Sequence, residues 1–492
     1  MNVVRHALDL VIKYKNYWEF MLLHSKLGTL AAVAFLASAT GAQAQQAPAG
    51  APAEPMRAGG GGGRAAVGPV QTDRYRSSFV KLGGNAVDGL LYEPVKPGPN
   101  VQVAILYSNA NFGFDPPAAE LASRGYRVLF VPHPPAQAGA VASPFDGFVE
   151  ASRGISYLRT LPDVKRVVIA GWGSGAVSMT LYADVAAHGP AACQGKQVID
   201  PCKNEQASGL AKPDGLILFD PGLGSGSKVS NLDPAFEGDN RTRLQLDMFA
   251  AANGYDVKTG MATYSAEFRK RYFAAQSARN DQIIDAAIAR LKVLNEDKSR
   301  LADEPLIVPG GVNVGDVASL HHTDLGIIAH TKRPYTLLKA DGSKPQVILR
   351  SIRTTTGPVG NEALQTALSG NSRPSRANYT VREFLANDAI RTTKDFALTE
   401  DDVIGVDWKS SNTGTPAQAE GVSVPTLVTT NTCFQFVVAS EIVYDHLAAK
   451  DKTFIGVEGS EHFFTPCQPQ YGDTKKRLFD FVDSWLTKPG RF

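Results

Sequence analysis

Residues 167–182 read VVIAGWGSGAVSMTLY and carry the clearest structural signal in the chain. The first four residues, Val167–Ala170, are apolar and mostly β-branched, which is typical of a buried strand. Three glycines follow closely, at Gly171, Gly173 and Gly175, and a helical sequence comes after them. Small residues are needed where a strand turns sharply into a helix, because the two backbones pack closely there. The stretch therefore predicts a strand, a tight turn and a helix.

The same alternation extends to both sides of this stretch. Strands are predicted at Val101–Ser108, Tyr126–Pro132, Val164–Ala170, Asp214–Asp220, Val424–Thr430 and Lys452–Glu458. Helices are predicted at Pro117–Arg124, Phe145–Leu161, Val177–Ala187, Ser440–Ala449 and Thr474–Leu486. Short apolar strands that alternate with helices indicate a parallel sheet covered on both faces. We therefore predict an α/β fold with a mostly parallel central sheet and helices on both faces.

The alternation stops in the block 224–415. Ser265–Asp297 predicts a long amphipathic helix, because apolar residues recur at helical spacing. Tyr335–Ala340 and Val347–Ile352 flank Asp341-Gly342, which predicts a β-hairpin with a two-residue turn. We interpret the block as a cap domain inserted over the edge of the sheet.

The N-terminus has the pattern of an export signal. An apolar run ending near Ala39 precedes Ala42-Gln43-Ala44, an A-x-A cleavage site. The run is too short to span a bilayer, so we predict a periplasmic or secreted protein without a membrane span in its mature form. Residues 1–20 precede this signal awkwardly, which makes Met21 an alternative start. The predicted organisation is a signal peptide at 1–44, a flexible Ala/Pro/Gly linker at 45–69, core at 70–223, cap at 224–415 and core again at 416–492.

The charge balance argues against a polyanionic partner. The 492 residues include 50 Lys+Arg and 48 Asp+Glu, for a formal net charge of +2. Neutralising a nucleic-acid backbone needs a clear basic excess, so no nucleic-acid partner is predicted. The charged and apolar fractions, 20% and 43%, are ordinary for a globular protein.

The four cysteines fall into two pairs. Cys193 and Cys202 close a short loop, and Cys433 and Cys467 are predicted at the same edge of the sheet. In an exported protein this arrangement favours two disulfides over four free thiols. No Cys-x-x-Cys or His-x-x-x-His spacing accompanies them, so no metal site is predicted.

The turn and a distant histidine suggest chemistry. A nucleophile on the turn would be exposed above the sheet, beside the first N–H groups of a helix, which suit a developing oxyanion. His462 follows the last predicted strand, where a general base would face the turn. Such a histidine is more often structural when taken alone, but its combination with the turn favours a catalytic role. Nucleotide-binding glycine motifs are missing from the turn, and no cofactor is predicted.

These segments resemble the α/β-hydrolase fold, and they look most like secreted bacterial α/β hydrolases with a large cap. The resemblance spans roughly residues 75–492. It rests on VVIAGWGSGAVSMTLY, LILFDPGLG, RPYTLLKADGS, GVDWKSSNTGTP, and GVEGSEHFFTPC with the later YGDTKKRLFDFVDSWL. It implies a hydrolase in which a nucleophile on the turn, a histidine and an acid act together.

The turn departs from the G-x-S-x-G pattern of that fold. With Gly171 and Gly175 as the two glycines, Gly173 takes the nucleophile position and Ser174 falls one residue late. Three hypotheses compete. The turn is shifted by one residue so that Ser174 attacks, or Ser174 only lines the site, or the protein performs non-hydrolytic chemistry or none.

The acid is also ambiguous. The resemblance places it after strand Val424–Thr430, where the first carboxylate is Glu441. We predict that Glu441 orients His462, with Asp220, at the end of its own strand, as the alternative. The predicted oxyanion donors are the backbone amides of Gly175 and of Asn109 or Ala110.

The sequence thus predicts an exported hydrolase of an ester or related acyl bond, with Ser174, His462 and Glu441 as catalytic residues. Its partner would be a small-molecule substrate, and aromatic residues in the cap favour an apolar or aromatic one. Consecutive residues point in different directions, so His321 and His322 of the cap are interpreted as surface or substrate-lining residues rather than a metal site. The alternatives are an enzyme without a serine nucleophile, in which His462 is the base for lyase or lactone-opening chemistry, and a non-catalytic ligand-binding protein. No motif indicates an oligomeric state.

Overall fold

The computed structural model describes most of the chain from residue 69 onward. The described residues are 69–83, 88–109, 116–132, 143–238, 240–296, 302–309, 319–353 and 376–492. All of them belong to the unit Arg64–Phe492. The predicted signal peptide and the predicted linker up to residue 68 lie outside the described residues.

The secondary structure follows the predicted alternation. The strands are β1 Tyr75–Lys81, β2 Asp88–Pro94, β3 Val103–Asn109, β4 Arg127–Pro132, β5 Arg166–Trp172, β6 Gly215–Phe219, β7 Phe236–Glu237, β8 Asn240–Arg241, β9 Tyr255–Asp256, β10 Met261–Ala262, β11 Pro305–Pro309, β12 His330–Leu338, β13 Gln346–Arg350, β14 Arg376–Thr380, β15 Thr392–Leu398, β16 Val403–Val406, β17 Thr426–Asn431 and β18 Lys452–Val457. The helices are α1 Pro116–Ala122, α2 Phe148–Leu158, α3 Ser174–His188, α4 Asn204–Ala207, α5 Gly226–Ser230, α6 Ala266–Glu296, α7 Leu320–Thr323, α8 Val381–Asn387, α9 Thr415–Ala419, α10 Val437–His446 and α11 Thr474–Leu486. Among these helices, none combines the length and the apolar character that a membrane span requires.

One large sheet organises the fold. Its strand order is β1-β2-β4-β3-β5-β6-β17-β18-β12-β13. The pairs from β4-β3 through β18-β12 are parallel, and the pairs β1-β2, β2-β4 and β12-β13 are antiparallel. The central strands are buried on both faces, which their nearly continuous apolar sequences predict. The predicted α/β class with a mostly parallel sheet is confirmed.

Helices cover the sheet on both faces. On one face, Ile155 of α2 packs in the same buried cluster as Leu106 of β3. On the other face, Leu121 of α1 and Leu478 of α11 pack with Val168 of β5. Burying one such side chain fully stabilises the fold by about 1.5–3 kcal/mol. Alternate residues of each strand thus serve two separate cores.

The long helix α6, which lies in the predicted cap block 224–415, packs against the core cluster of the sheet and against α8. It runs for 31 residues, which confirms the predicted helix. Phe268 and Tyr272 near its start join the core cluster of the sheet. Ile284 packs farther along the helix with Phe384 of α8 in a separate cluster. Ile288, one of the apolar residues that recur at helical spacing, is 39% exposed.

The predicted hairpin belongs to the central sheet rather than to the cap. Strand β12 pairs in parallel with β18, with Thr336 opposite Ile455, and β13 pairs with β12. The two strands are confirmed, but their connection runs over 339–345 and is longer than the predicted two-residue turn. The assignment of this hairpin to the cap is wrong. The hairpin pattern in the sequence predicts that β12 pairs with β13, but it does not predict that β12 also pairs with β18 of the central sheet. Pairing with β12 satisfies backbone groups that would otherwise be unpaired at the edge of β18.

Candidate active site

The turn between β5 and α3 is as tight as its glycines predict. Strand β5 ends at Trp172, and α3 begins directly after Gly173. A β-carbon on Gly171 would lie 2.2 Å from the carbonyl oxygen of Gly175, and one on Gly175 would lie 2.5 Å from the carbonyl oxygen of Ser108. Only residues without side chains allow such contacts, so both glycines are required by the packing of strand against helix.

Gly173 occupies the apex of this turn. Its φ of 54° and ψ of −114° are rarely adopted by residues with a side chain. A β-carbon on Gly173 would lie 3.0 Å from Nε2 of His462. Ser174 is the first residue of α3, is exposed, and forms no side-chain hydrogen bond with the described residues. Gly173 therefore lies at the apex of the turn facing the imidazole, and Ser174, the predicted nucleophile, lies one residue later at the start of α3.

His462 is held by a buried carboxylate. Its Nδ1 lies 2.6 Å from Oδ2 of Asp220, a residue that is 0% exposed. The other oxygen of Asp220 accepts hydrogen bonds from the Thr430 hydroxyl and the Asn431 backbone N–H, both at 3.1 Å. An ionised carboxylate only accepts hydrogen bonds, so we assign the proton to Nδ1, which leaves Nε2 of His462 as an acceptor facing Gly173.

Glu441 has a different place in the fold. Its oxygens accept hydrogen bonds from the backbone N–H groups of Lys332 at 2.8 Å and of Arg333 at 3.3 Å. These two amides lie where the register of the β12–β13 pairing shifts, between His330 and Pro334. Glu441 therefore accepts the hydrogen bonds of backbone N–H groups that are not part of the regular pairing with β13. Burial raises the pKa of this carboxyl. The prediction that Glu441 orients His462 is wrong, and the alternative, Asp220, occupies that position.

Aromatic rings enclose the imidazole. The ring of His462 lies between those of Trp172 and Phe434, with both centroids at 4.3 Å. Phe436 and Phe463 approach it nearly edge-on, at 5.5 and 5.7 Å. The indole N–H of Trp172 also donates to the carbonyl oxygen of His462 at 2.8 Å. These contacts fix the ring orientation, and the sequence analysis did not identify them.

Free backbone donors lie beside Gly173. The N–H groups of Ser174 and Gly175 begin α3 and donate to no group of the described residues. The first N–H groups of a helix lack internal partners and carry partial positive charge, so they suit an anionic oxygen. Because the apex is Gly173, the amide that follows it belongs to Ser174 and not, as predicted, to Gly175. Asn109 is close by, with its Cα 3.3 Å from the β-carbon position of Gly175, whereas Ala110 lies outside the described residues.

The site faces a cavity of about 790 Å³. Trp172 and His462 line it together with residues of the block 224–415 such as Asn231 and Leu398. Among its described lining residues there is no Asp or Glu. Lys228 contributes the one lysine or arginine among them, and its ammonium group lies 3.1 Å from a carboxylate oxygen of Asp388. The size and mixed polarity suit a small organic molecule.

Both predicted disulfides are present, as Cys193–Cys202 and Cys433–Cys467. Cys433 precedes Phe434, and Cys467 ends the loop that carries His462. The second disulfide therefore joins the two loops that flank the imidazole. Within the described ranges, no group of three or more His, Cys, Asp or Glu side chains is arranged to hold a metal ion.

The sheet order, with a glycine elbow between its central strand β5 and helix α3, confirms the α/β-hydrolase fold class. No protein-family model matches the chain, and no curated protein shows significant similarity to it. Among solved structures, the chain is similar to a hypothetical protein from Pseudomonas aeruginosa, with 12% identity, a TM-score of 0.36 and coverage of 88% of this chain and 98% of the other. The chain is also similar to a monoacylglycerol lipase from Paleococcus ferrophilus, with 11% identity, a TM-score of 0.35 and coverage of 81% of this chain and 98% of the other. A third similar structure is Est1E from Butyrivibrio proteoclasticus, with 10% identity, a TM-score of 0.34 and coverage of 83% of this chain and 97% of the other.

Proposed function

We propose that the protein is a hydrolase without a serine nucleophile, in which His462 and Asp220 activate water toward the carbonyl of an ester or lactone. The observation that carries this proposal is the approach of His462 Nε2 to the bare backbone of Gly173, 3.0 Å from the position of a β-carbon. A serine side chain would fill that space. Glycine leaves it open to a water molecule within reach of a positioned base.

The reaction balances with groups already in place. Nε2 of His462 takes a proton from water as the water oxygen attacks the carbonyl carbon, and Asp220 stabilises the resulting imidazolium. The carbonyl oxygen becomes an oxyanion, for which the Ser174 N–H is a suitable donor. Collapse of the tetrahedral intermediate breaks the bond to the leaving oxygen, which takes the proton from His462. An ester gives an acid and an alcohol, and a lactone gives a hydroxy acid.

Ser174 contributes its backbone rather than its hydroxyl in this proposal. Its side chain begins helix α3 and is not hydrogen-bonded to His462. A nucleophile requires a base within hydrogen-bond reach, and the base here faces the preceding residue.

The cavity supports a small acyl compound with an apolar portion as the substrate. Trp172, Phe436 and Phe463 line the wall near His462, and Val177 and Leu181 of α3 extend its apolar surface. Such a lining favours the apolar part of a ligand, and a few polar groups fix its orientation.

We also propose that the protein acts outside the cytoplasm. Two disulfides in a chain with a predicted export signal support this location, because disulfides persist in oxidising compartments.

The test compares variants on a panel of p-nitrophenyl esters and small lactones. We expect Ser174→Ala to retain activity within about threefold, and His462→Ala to lose about 10²-fold or more. A fluorophosphonate probe should leave Ser174 unlabelled. Labelling of Ser174 that disappears in His462→Ala would overturn the proposal, and a folded protein without activity on the panel would favour the ligand-binding alternative.

A further inference from the structure

Gln435 lies in the chain between Phe434 and Phe436, both of which contact His462, and two histidines of α7 hold its side chain. Its Oε1 is 3.0 Å from Nε2 of His321 and 2.9 Å from Nε2 of His322. The two imidazole rings are 4.2 Å apart. The expectation that these consecutive histidines diverge is wrong, because both converge on one amide oxygen.

The hydrogen bonds define which end of the amide is free. Nδ1 of His321 lies 2.6 Å from the hydroxyl of Ser319. Burial lowers the pKa of His321 well below its usual value, so the ring is neutral. We assign the Ser319 hydroxyl as the donor to Nδ1, so that Nε2 of His321 carries the proton and donates to Oε1 of Gln435. Nε2 of His322 lies beside the same oxygen, and the amide nitrogen is directed to the other side.

The histidines are themselves fixed. The buried guanidinium of Arg353 donates to the carbonyl oxygen of His321 at 2.9 Å and to that of Ile327 at 2.7 Å. The hydroxyls of Thr323 and Tyr264 lie 2.7 Å apart and tie the end of α7 to the cap. Turning the amide of Gln435 over would place its NH₂ group against the N–H of His321. The fold therefore holds this side chain in one orientation.

We propose that the Nε2 amide group of Gln435 is a substrate-binding donor, which recognises a carbonyl or carboxylate oxygen of the substrate. This rests on the proposed function and names the chemistry that the same cavity selects. Nε2 of Gln435 donates to no group of the described residues, and Gln435 and His321 line the cavity together with His462. Its chain neighbours Phe434 and Phe436 contact the imidazole, and Gln435 and His462 line the same cavity.

The charge of the cavity agrees with this assignment. The described lining includes Lys228, which is ion-paired with Asp388, and the amides of Asn231, Asn387 and Gln435, but no carboxylate. Such a wall favours a neutral or anionic ligand over an ammonium ion, because a cation would be desolvated without an acceptor of opposite charge. The substrate class is accordingly an uncharged or acidic acyl compound.

The test measures ligand binding and needs no turnover, so its failure is distinct from failure of the proposed hydrolysis. Phenylacetate and 2-phenylethylamine are titrated into the full chain by ligand-detected NMR. We expect the wild type to prefer phenylacetate. Gln435→Glu removes the donor and should weaken phenylacetate binding about 10- to 100-fold, because hydrogen bonds to charged groups are worth more than neutral ones. It should improve binding of the amine.

Two further variants make the result specific. Gln435→Met has neither the amide donor nor a charge, and we expect it to bind phenylacetate and 2-phenylethylamine without preference. Thermal unfolding of the variant checks that it is folded. Gln346→Met changes an exposed glutamine that does not line the cavity and should leave both affinities unchanged. For any ester hydrolysed by the wild type, Gln435→Met should raise KM more than it lowers kcat. Equal binding of the two probes by the wild type, no phenylacetate binding, or an unchanged preference in both Gln435 variants would overturn the proposal.

Discussion

Nε2 of His462 lies 3.0 Å from the point where Gly173 would carry a β-carbon. The base is thus directed at a position with no side chain. The surrounding elements of a nucleophile elbow are intact, since Gly171 and Gly175 make the close backbone contacts of the turn and Asp220 holds the imidazole. In the proposed mechanism this geometry combines a positioned base with an elbow that carries no nucleophilic side chain.

Gly173→Ser should install the missing nucleophile. A residue with a side chain at φ 54° lowers the free energy of unfolding by about 1–3 kcal/mol, because this backbone conformation is strained. The imidazole of His462 must also move by a few tenths of an ångström to make room for the β-carbon. We expect the variant to be labelled by a fluorophosphonate on its new side chain and to melt at a lower temperature. Gly173→Ala carries the same strain without the hydroxyl and should melt similarly but stay unlabelled. An unlabelled but folded Gly173→Ser protein would show that the base cannot activate this position.

Asp220→Asn and Glu441→Gln should have opposite consequences. Removing the charge at Asp220 disturbs the tautomer and orientation of His462, and we expect hydrolysis to fall about 10³-fold or more. Glu441→Gln places an NH₂ group against a backbone donor of β12, which should cost about 1–3 kcal/mol of stability with little change in kcat. Steady-state kinetics and urea unfolding of both variants separate the two roles. A large loss of kcat in Glu441→Gln alone would reverse the assignment of the acid.

The two disulfides should differ in their effect on activity. Cys433–Cys467 closes a loop of 34 residues, for which loop-closure entropy contributes about 4 kcal/mol to the free energy of unfolding. Cys193–Cys202 closes a loop of 9 residues, for which the contribution is about 3 kcal/mol. The double variant Cys433→Ser/Cys467→Ser should lose that stability and also activity, because it frees the loops on both sides of His462. Cys193→Ser/Cys202→Ser serves as the matched control and should lose stability only. Equal kcat values in the two folded double variants would contradict this coupling.

His321 should make the stability of the protein sensitive to acid. Burial depresses its pKa in the folded state, and the groups around it are Ser319, His322, Gln435 and Arg353. Below about pH 6.5 the unfolded chain binds a proton that the folded chain does not, so the free energy of unfolding falls by about 1.4 kcal/mol per pH unit. Above that pH the contribution is fully present.

Urea unfolding between about pH 5 and pH 8 measures this effect. The difference between the wild type and His321→Asn isolates the contribution of this side chain from that of the other histidines. Parallel pH profiles for the two proteins would show that His321 takes up its proton in the folded state without penalty.

The sequence predicts those parts of the architecture that depend on local residue patterns. The strand before Gly171, the position of His462 after the last core strand, and the cysteine pairs all follow from residue type and spacing. The apex of the elbow does not, because a run of Gly and Ser permits the turn in either of two registers. Only the observed φ of Gly173 distinguishes them.

Long-range pairing explains the other differences. Asp220 directly follows β6, which lies beside both β5 and β17 in the sheet, and the carboxyl ends of parallel strands meet at one edge. That adjacency was a usable signal for the acid, yet the resemblance directed attention to the strand after it. Glu441 was chosen for its position in the chain, although its carboxylate satisfies backbone amides of β12. Phe434 follows β17 at the same edge, so its contact with His462 was equally open to inference.

The bare apex at Gly173 has a kinetic consequence. An enzyme that forms an acyl-enzyme lets water and an added alcohol compete for one common intermediate, so the ratio of acid to new ester is the same for every leaving group. Gly173 offers no atom to carry the acyl group. In the proposed reaction, water and alcohol compete for the substrate itself, and the product ratio should change with the leaving group.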